Sequence, residues 1–305
     1  MRRMTEEYMG PKRVEFQGAE QNRLIADRYG EGDQPVILLH GGGQTRHSWE
    51  AAAARIATLG HPVYSLDQRG HGESDWVASG TYSFEDFSKD LVAVTRQVVA
   101  LHRAKPVVVG ASLGGFAGML AEGQENPGGL SALVLVDITP RIDMGGVSKI
   151  IGFMGDRVEE GFVDVEDAAD AISRYLPNRT RPKDLSGLAK NLRLHGDGRY
   201  RWHWDPAFLR SRQHEDPKSS DQIQANMLVA VGNLTLPVLL IRGQNSELVS
   251  MEHVQEFLAR VPHAKFTDIQ DAGHMVAGDR NDVFASAVEN FLLELREDAV
   301  PALSR

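Results

Sequence analysis

Ser112 and His274 are the residues of this 305-residue chain whose types and settings best suit chemistry. Ser112 stands in the run Val107-Val108-Val109-Gly110-Ala111-Ser112-Leu113-Gly114-Gly115, and an apolar segment with Phe116, Met119 and Leu120 follows. A G-x-S-x-G spacing suits a nucleophile, because a sharp strand-to-helix turn lifts the hydroxyl clear of its neighbours. Glycines beside the turn avoid collisions with the flanking strand and helix. In a chain with 30 glycines a bare five-residue pattern also arises by chance, so the β-branched strand before it and the apolar segment after it carry the reading. A phosphate-binding helix N-terminus is disfavoured, since the P-loop lysine is missing. A serine hydroxyl needs a base to take its proton and a third group to orient that base. Of eleven histidines, His274 alone lies in a Gly-His loop just after the last predicted strand, which makes it the candidate base. His40, before Gly41-Gly42-Gly43, is expected to shape that loop, and His71 to be structural. For His203, substrate contact and packing are both open.

The elements that must position these residues follow from patterning. Apolar content of 42% and charged content of 25% are ordinary for a globular protein, and the net charge of −9 argues against nucleic acid or an anionic membrane as partner. The absence of cysteine excludes disulfides, thiolate metal sites and a cysteine nucleophile. No histidine pair shows metal-ligand spacing, so neither metal nor other cofactor is expected. Arg2 and Arg3 are followed by Glu6 and Glu7 rather than an apolar stretch, so no secretory signal is read and a cytoplasmic location is the default. The longest apolar stretch, 107–120, is broken by Gly and Ser and reads as strand, turn and helix rather than a membrane span.

Short β-branched runs alternate with helical patterns, which predicts an α/β fold with a mostly parallel sheet covered on both faces. An opening hairpin is expected from 14–16 and 24–29, then strands at 36–39, 63–66, 107–109, 132–138, 237–242 and 265–269. A helix over 84–101 presents Phe84, Phe87, Leu91, Val94, Val98 and Leu101 as one buried stripe, with Ser83 and Asp86 as its capping box. The alternation stops between Pro140 and Leu234. That stretch holds helical patterns at 165–176 and 185–194 and an aromatic cluster, Tyr200 to Phe208. The expected organisation is a core of residues 1–140 and 235–305 with a helical cap inserted at 141–234. A last helix spans 281–296, with Asp279 or Asn281 near its start.

His40-Gly41-Gly42-Gly43, then Asp67-Gln68-Arg69-Gly70-His71-Gly72-Glu73-Ser74, then Gly110-Ala111-Ser112-Leu113-Gly114, then Gly273-His274 stand in an order that resembles the α/β-hydrolase superfamily over nearly the whole chain. The closest resemblance is to its capped serine hydrolases, the esterase and non-haem haloperoxidase-like branch. The resemblance implies an oxyanion hole from the backbone N–H groups of Leu113 and Gly42. It also implies that Asp67, Arg69, Glu73 and Ser74 form a structural turn. Relatives usually carry their acid at the fourth position of Gly243-Gln244-Asn245-Ser246-Glu247-Leu248, and here that residue is Ser246, with Glu247 beside it. A minority branch places the acid one strand earlier, and Val136-Asp137-Ile138-Thr139-Pro140 is similar to its Asp-Ile-x-Pro signature. A carboxylate closing a buried apolar strand also needs a partner. Asp137 and Glu247 both remain candidates.

A serine at the elbow, where dehalogenases and epoxide hydrolases of this fold use aspartate, implies an acyl-enzyme. The substrate is then expected to be a small hydrophobic ester, lactone or related acyl compound. Trp202, Trp204, Phe153, Met154 and Phe208 are the candidate lining of its pocket. A cofactor-free haloperoxidase or perhydrolase, a carbon–carbon bond hydrolase, and a ligand-binding receptor on the same fold are the alternatives. A homodimer is left open.

Overall fold

The β-branched runs become strands of one sheet in a computed structural model that describes residues 10–175, 181–213, 217–276 and 281–299. The first half of the chain forms β1 (Lys12–Gln17), β2 (Arg23–Tyr29), β3 (Val36–Leu39), α1 (Glu50–Ala57), β4 (Val63–Leu66), α2 (Phe84–His102), β5 (Val107–Ala111), α3 (Leu113–Leu120) and β6 (Ala132–Val136). Then come α4 (Met144–Gly155), α5 (Val165–Tyr175), α6 (Ser186–Ala189), β7 (Leu192–Leu194), β8 (Tyr200–Trp202), α7 (Ala207–Gln213) and α8 (Pro217–Gly232). The chain closes with β9 (Val238–Gly243), α9 (Met251–Arg260), β10 (Lys265–Ile269) and α10 (Asn281–Ala299).

The main sheet has the order β1-β2-β4-β3-β5-β6-β9-β10. The opening hairpin is antiparallel, β2 runs antiparallel to β4, and every later pairing is parallel. Strands β3, β4, β6 and β9 are buried at every position because both faces are covered. Their alternation sorts them into two cores. Ile37, Leu39, Val108 and Leu135 pack with Phe87 and Leu91 of α2, whereas Leu38, Val109, Val134 and Ile241 pack with Ile56 of α1 and Phe284 of α10.

Helix α2 starts at the expected capping box, in which Ser83 and Asp86 exchange hydrogen bonds. Its stripe holds from Phe87 to Val98 but fails at Leu101, which is 67% exposed. The periodicity continues there, but the last turn before left-handed Arg103 has outrun the core that the helix covers. The helix expected over 165–176 is α5; Leu176 and Asp279 lie outside the described residues. The single helix expected over 185–194 is instead a four-residue turn, α6, followed by β7. β7 pairs antiparallel with β8, Leu192 opposite Trp202, and Leu192 is buried against Phe162, Ala168 and Ala171. A pairing partner ten residues on outweighs local helix propensity.

The segment between β6 and β9 is fastened to the sheet side by backbone. Gly72 N–H donates to the His203 carbonyl at 2.7 Å, Asp205 N–H donates to the Gly70 carbonyl at 2.7 Å, and His71 bridges Trp204. Among the described residues no helix is long and apolar enough to cross a membrane.

Candidate active site

Ser112 joins β5 to α3 with φ 46° and ψ −110°, a conformation that L-residues rarely adopt and that costs about 1–3 kcal/mol. The glycines around it allow strand and helix to approach. A Cβ on Gly110 would lie 2.4 Å from the Gly114 carbonyl oxygen, and one on Gly114 would lie 2.5 Å from Leu39 Cβ.

Asp137 is the residue after β6, and it too has a positive φ, 50°. Its amide donates to the Ile241 carbonyl at 2.7 Å, which ties the turn to β9. The carboxylate is fully buried and collects three donors. Gly243 N–H reaches Oδ1 at 2.9 Å, while Ser246 Oγ at 2.5 Å and His274 Nδ1 at 2.7 Å reach Oδ2. Such donors offset the large cost of burying a carboxylate. In a neutral imidazole, donation from Nδ1 leaves Nε2 as the acceptor.

Glu247, the other candidate acid, sits elsewhere. Its carbonyl oxygen lies 2.4 Å from where a Cβ on Gly146 of α4 would be. Its half-buried carboxylate has no hydrogen-bond partner among the described residues. Burial and that carboxylate together push the Tyr175 phenol up to about 12. Sequence reasoning set Ser246 aside because it carries no charge, yet it donates to Asp137 and accepts from Leu248 and Val249 N–H at 3.1 and 3.0 Å. A serine at the usual acid position, beside an aspartate closing the neighbouring strand, was the available signal.

The loop after β3 presents Gly42. Neither Gly42 N–H nor Leu113 N–H, in the first turn of α3, donates to an acceptor among the described residues. The N–H groups on either side of Gly42 are tied. Gly41 N–H donates to Gln44 Oε1 at 3.0 Å, and Gly43 N–H donates to His71 Nε2 at 3.1 Å. His40 Nδ1 donates to the Gly41 carbonyl at 2.8 Å, and its Nε2 accepts from Gln68 N–H at 3.0 Å. Both rings accept at Nε2 and are therefore neutral, and burial pushes His40 down to about 4 and His71 to about 3. The expected structural turn is a buried ion-pair network. Asp67 accepts from Arg46 at 2.5 Å, and Arg69 pairs with Asp90 at 2.7 Å.

The expected pocket residues divide into two groups. Phe208 Cζ lies 3.2 Å, and Met154 Cε 2.7 Å, from where side chains on Gly42 and Gly43 would begin. Trp204 Nε1 is 3.7 Å from the Gly43 position, and all three side chains are buried in the main core. Phe153 instead stacks on Tyr175, centroids 4.3 Å apart, with Trp202 edge-on at 5.8 Å. Tyr175 was not singled out from sequence. The Trp202 Nε1 is buried with no hydrogen-bond partner among the described residues. Among the described residues no group of three His, Asp or Glu side chains is arranged to hold a metal ion.

Residues 34–280 match the family model for the alpha/beta hydrolase fold. The chain is 28% identical to Esterase Rv0045c of Mycobacterium tuberculosis over 289 residues, 91% of this chain and 89% of that protein. A crystal structure of that esterase superposes with a TM-score of 0.72 at 26% identity, covering 94% of this chain and 93% of the other. The chain is also 26% identical to the 3-hydroxybutyrate-oligomer hydrolase of Cupriavidus necator over 263 residues, 83% and 87% of the two chains. A fully buried Asp137 bonded to His274, a strained serine between β5 and α3, and relatives named as esterases and hydrolases lead to one assignment: the chain belongs to the α/β-hydrolase family and is an enzyme of that fold.

Proposed function

We propose that this enzyme hydrolyses carboxylic esters, lactones or related acyl compounds through a Ser112-His274-Asp137 triad and an acyl-enzyme. The observation that carries the reading is the 2.7 Å hydrogen bond between His274 Nδ1 and the buried Asp137 carboxylate. It fixes the tautomer a serine's base requires. Ser112 Oγ attacks the substrate carbonyl carbon as His274 Nε2 takes its proton, and Asp137 stabilises the imidazolium. The oxyanion is held by the N–H groups of Leu113 and Gly42, which find no acceptor among the described residues. Collapse of the tetrahedral intermediate expels the leaving group, which takes the proton from His274. A water deprotonated by His274 then attacks the acyl carbon, the second intermediate collapses, and Ser112 recovers the proton.

Segment 141–234 acts as the cap. Met154 and Phe208 bound the site beside the oxyanion loop, and Phe153, Tyr175 and Trp202 offer an aromatic wall, which together favour a small apolar substrate. The test is covalent labelling with a fluorophosphonate probe, with Ser112→Ala as control and a panel of short, long and aromatic esters and lactones as substrates. Labelling at Ser112 with ester turnover is the expected result. Ester turnover retained in Ser112→Ala removes the assignment. Peroxide-dependent halogenation or cleavage of a vinylogous diketone, without ester turnover, reassigns the reaction.

A further inference from the structure

Arg242 lies one residue before the end of β9, its side chain only 8% exposed. Its guanidinium makes three contacts. Nε donates to the Val249 carbonyl at 2.6 Å, one terminal nitrogen donates to the Gln244 carbonyl at 3.1 Å, and the other pairs with Asp268 Oδ1 on β10 at 3.0 Å. The two carbonyls stand at opposite ends of the loop 244–249. One planar fork therefore fixes both ends of that loop at once, which a point charge cannot do. The middle of the loop is Ser246, whose hydroxyl donates to Asp137. The same loop is stitched to the stretch that carries His274, by Gln244 N–H to the Ile269 carbonyl and Asn245 N–H to the Ala272 carbonyl, both 2.9 Å. A Cβ on Gly243 would lie 2.2 Å from the Gly273 carbonyl oxygen, so the loop and the His274 stretch are in backbone contact.

We infer that Arg242 is a positioning residue for the reaction: its fork sets the loop that lets Ser246 hold Asp137 against His274. The inference rests on the triad reading above and extends it outward by two links. Asp268 supplies the counter-charge that lets the guanidinium stay buried. Arg242 touches neither Asp137 nor His274, and its influence runs through the geometry of Ser246.

The experiment compares Arg242→Lys, Ser246→Ala and their double variant in the full chain. Arg242→Lys keeps the charge beside Asp268 but loses the fork. With p-nitrophenyl acetate, each single variant is expected to lower kcat about tenfold with KM little changed, and the double variant to be no worse than the poorer single one, as for residues acting in series. The His274 ring titration, followed by NMR without substrate, should move by the same amount in both single variants and no further in the double. Wild-type kcat in Arg242→Lys with only a lower Tm overturns the inference, as does a double variant whose losses multiply. Should Arg242→Lys fail to fold, Asp268→Asn removes the counter-charge that keeps the guanidinium seated and is expected to lower kcat in the same direction with KM little changed. Wild-type kcat there, with the His274 ring titration unmoved, overturns the inference. If fluorophosphonate does not label wild-type Ser112 the triad reading fails instead, while the NMR titration still reports on the clamp.

Discussion

The two halves of the candidate site are held by opposite means. The oxyanion loop is packed: Phe208, Met154 and Trp204 crowd Gly42 and Gly43, and neutral, fully buried His40 and His71 tie the backbone beneath. The acid corner is wired: Asp137 is held by three hydrogen bonds, with Ser246, Arg242 and Asp268 in line behind it. Packing resists displacement in every direction but collapses with a change of volume. A hydrogen-bonded corner tolerates volume change but responds to the loss of a polar partner according to which partner is lost. The oxyanion half should therefore respond to size and to pH, and the acid half to the identity of single polar atoms.

The largest effect separates the two carboxylates near the site. Asp137→Asn keeps the volume but cannot hold the same tautomer of His274, so kcat should fall about four orders of magnitude. Glu247→Gln should stay within about twofold of wild type, because no hydrogen bond connects it to His274. Steady-state kinetics on one ester decide the matter. Equal and mild losses would place the acid elsewhere and undo the wired half of the comparison.

A smaller loss tests the packed half. Gly42→Ala puts a methyl 3.2 Å from Phe208 Cζ, so ring or loop must give by a few tenths of an ångström. The displaced N–H should cost about a hundredfold in kcat, the scale of losing one oxyanion donor. Phe208→Leu, added to Gly42→Ala, relieves the contact and should recover most of that loss. No recovery would mean that the loop is not set by packing against Phe208.

These halves differ in how readily the sequence reveals them. Strands 36–39 and 63–66 were legible because burial on both faces demands unbroken apolar runs, which the chain supplies. The Ser83–Asp86 cap was legible because both its partners lie within four residues. Leu101 misled, since periodicity records a helix face but not where the covering core ends. β7 was unreadable locally, because only its pairing with β8 makes it a strand. Ser112 and His274 carried their own local signals in glycines and loop position. The acid stayed open between Asp137 and Glu247 because the bond that distinguishes them joins residues 137 positions apart. The clamp was invisible for the same reason, since Arg242 and Asp268 meet only across the β9–β10 pairing.

A pH experiment sharpens the contrast at lower cost to activity. His40 and His71 sit at about 4 and about 3 in the fold, well below the ordinary histidine value of 6.5. Between those limits the unfolded chain binds protons that the folded chain refuses. The stabilisation is thus complete above about pH 6.5 and is lost as pH falls toward the folded values. By pH 5 each histidine should have given up about 2 kcal/mol. His71→Gln keeps an oxygen that accepts from Gly43 N–H while removing one titrating ring. The decline in stability from pH 7 to pH 5, read from denaturant midpoints, should then shrink by about 2 kcal/mol, the share of that one ring. An unchanged decline would assign the acid sensitivity to other groups.

The mildest change tests the outer end of the wired corner. Ser246→Ala removes the hydroxyl that donates to Asp137 and accepts from two loop amides. Gly243 N–H and His274 still satisfy the carboxylate, so the Asp137–His274 bond survives and kcat should fall only about tenfold. Ser246→Thr restores the hydroxyl and should restore most of the rate, provided its methyl finds room in the half-exposed loop. Ser246→Asp is the sharper substitution, since it replaces a hydroxyl that lies 2.5 Å from Asp137 Oδ2 with a second carboxyl group pressed against the first. Two carboxylates at that spacing cannot both ionise without a large penalty. One must hold a proton, and the pH–rate profile should gain a carboxyl titration that wild type lacks. A Ser246→Asp variant with wild-type rate and profile would show that the corner accepts an acid from either strand, and that the hydrogen-bonded half is as tolerant as the packed one.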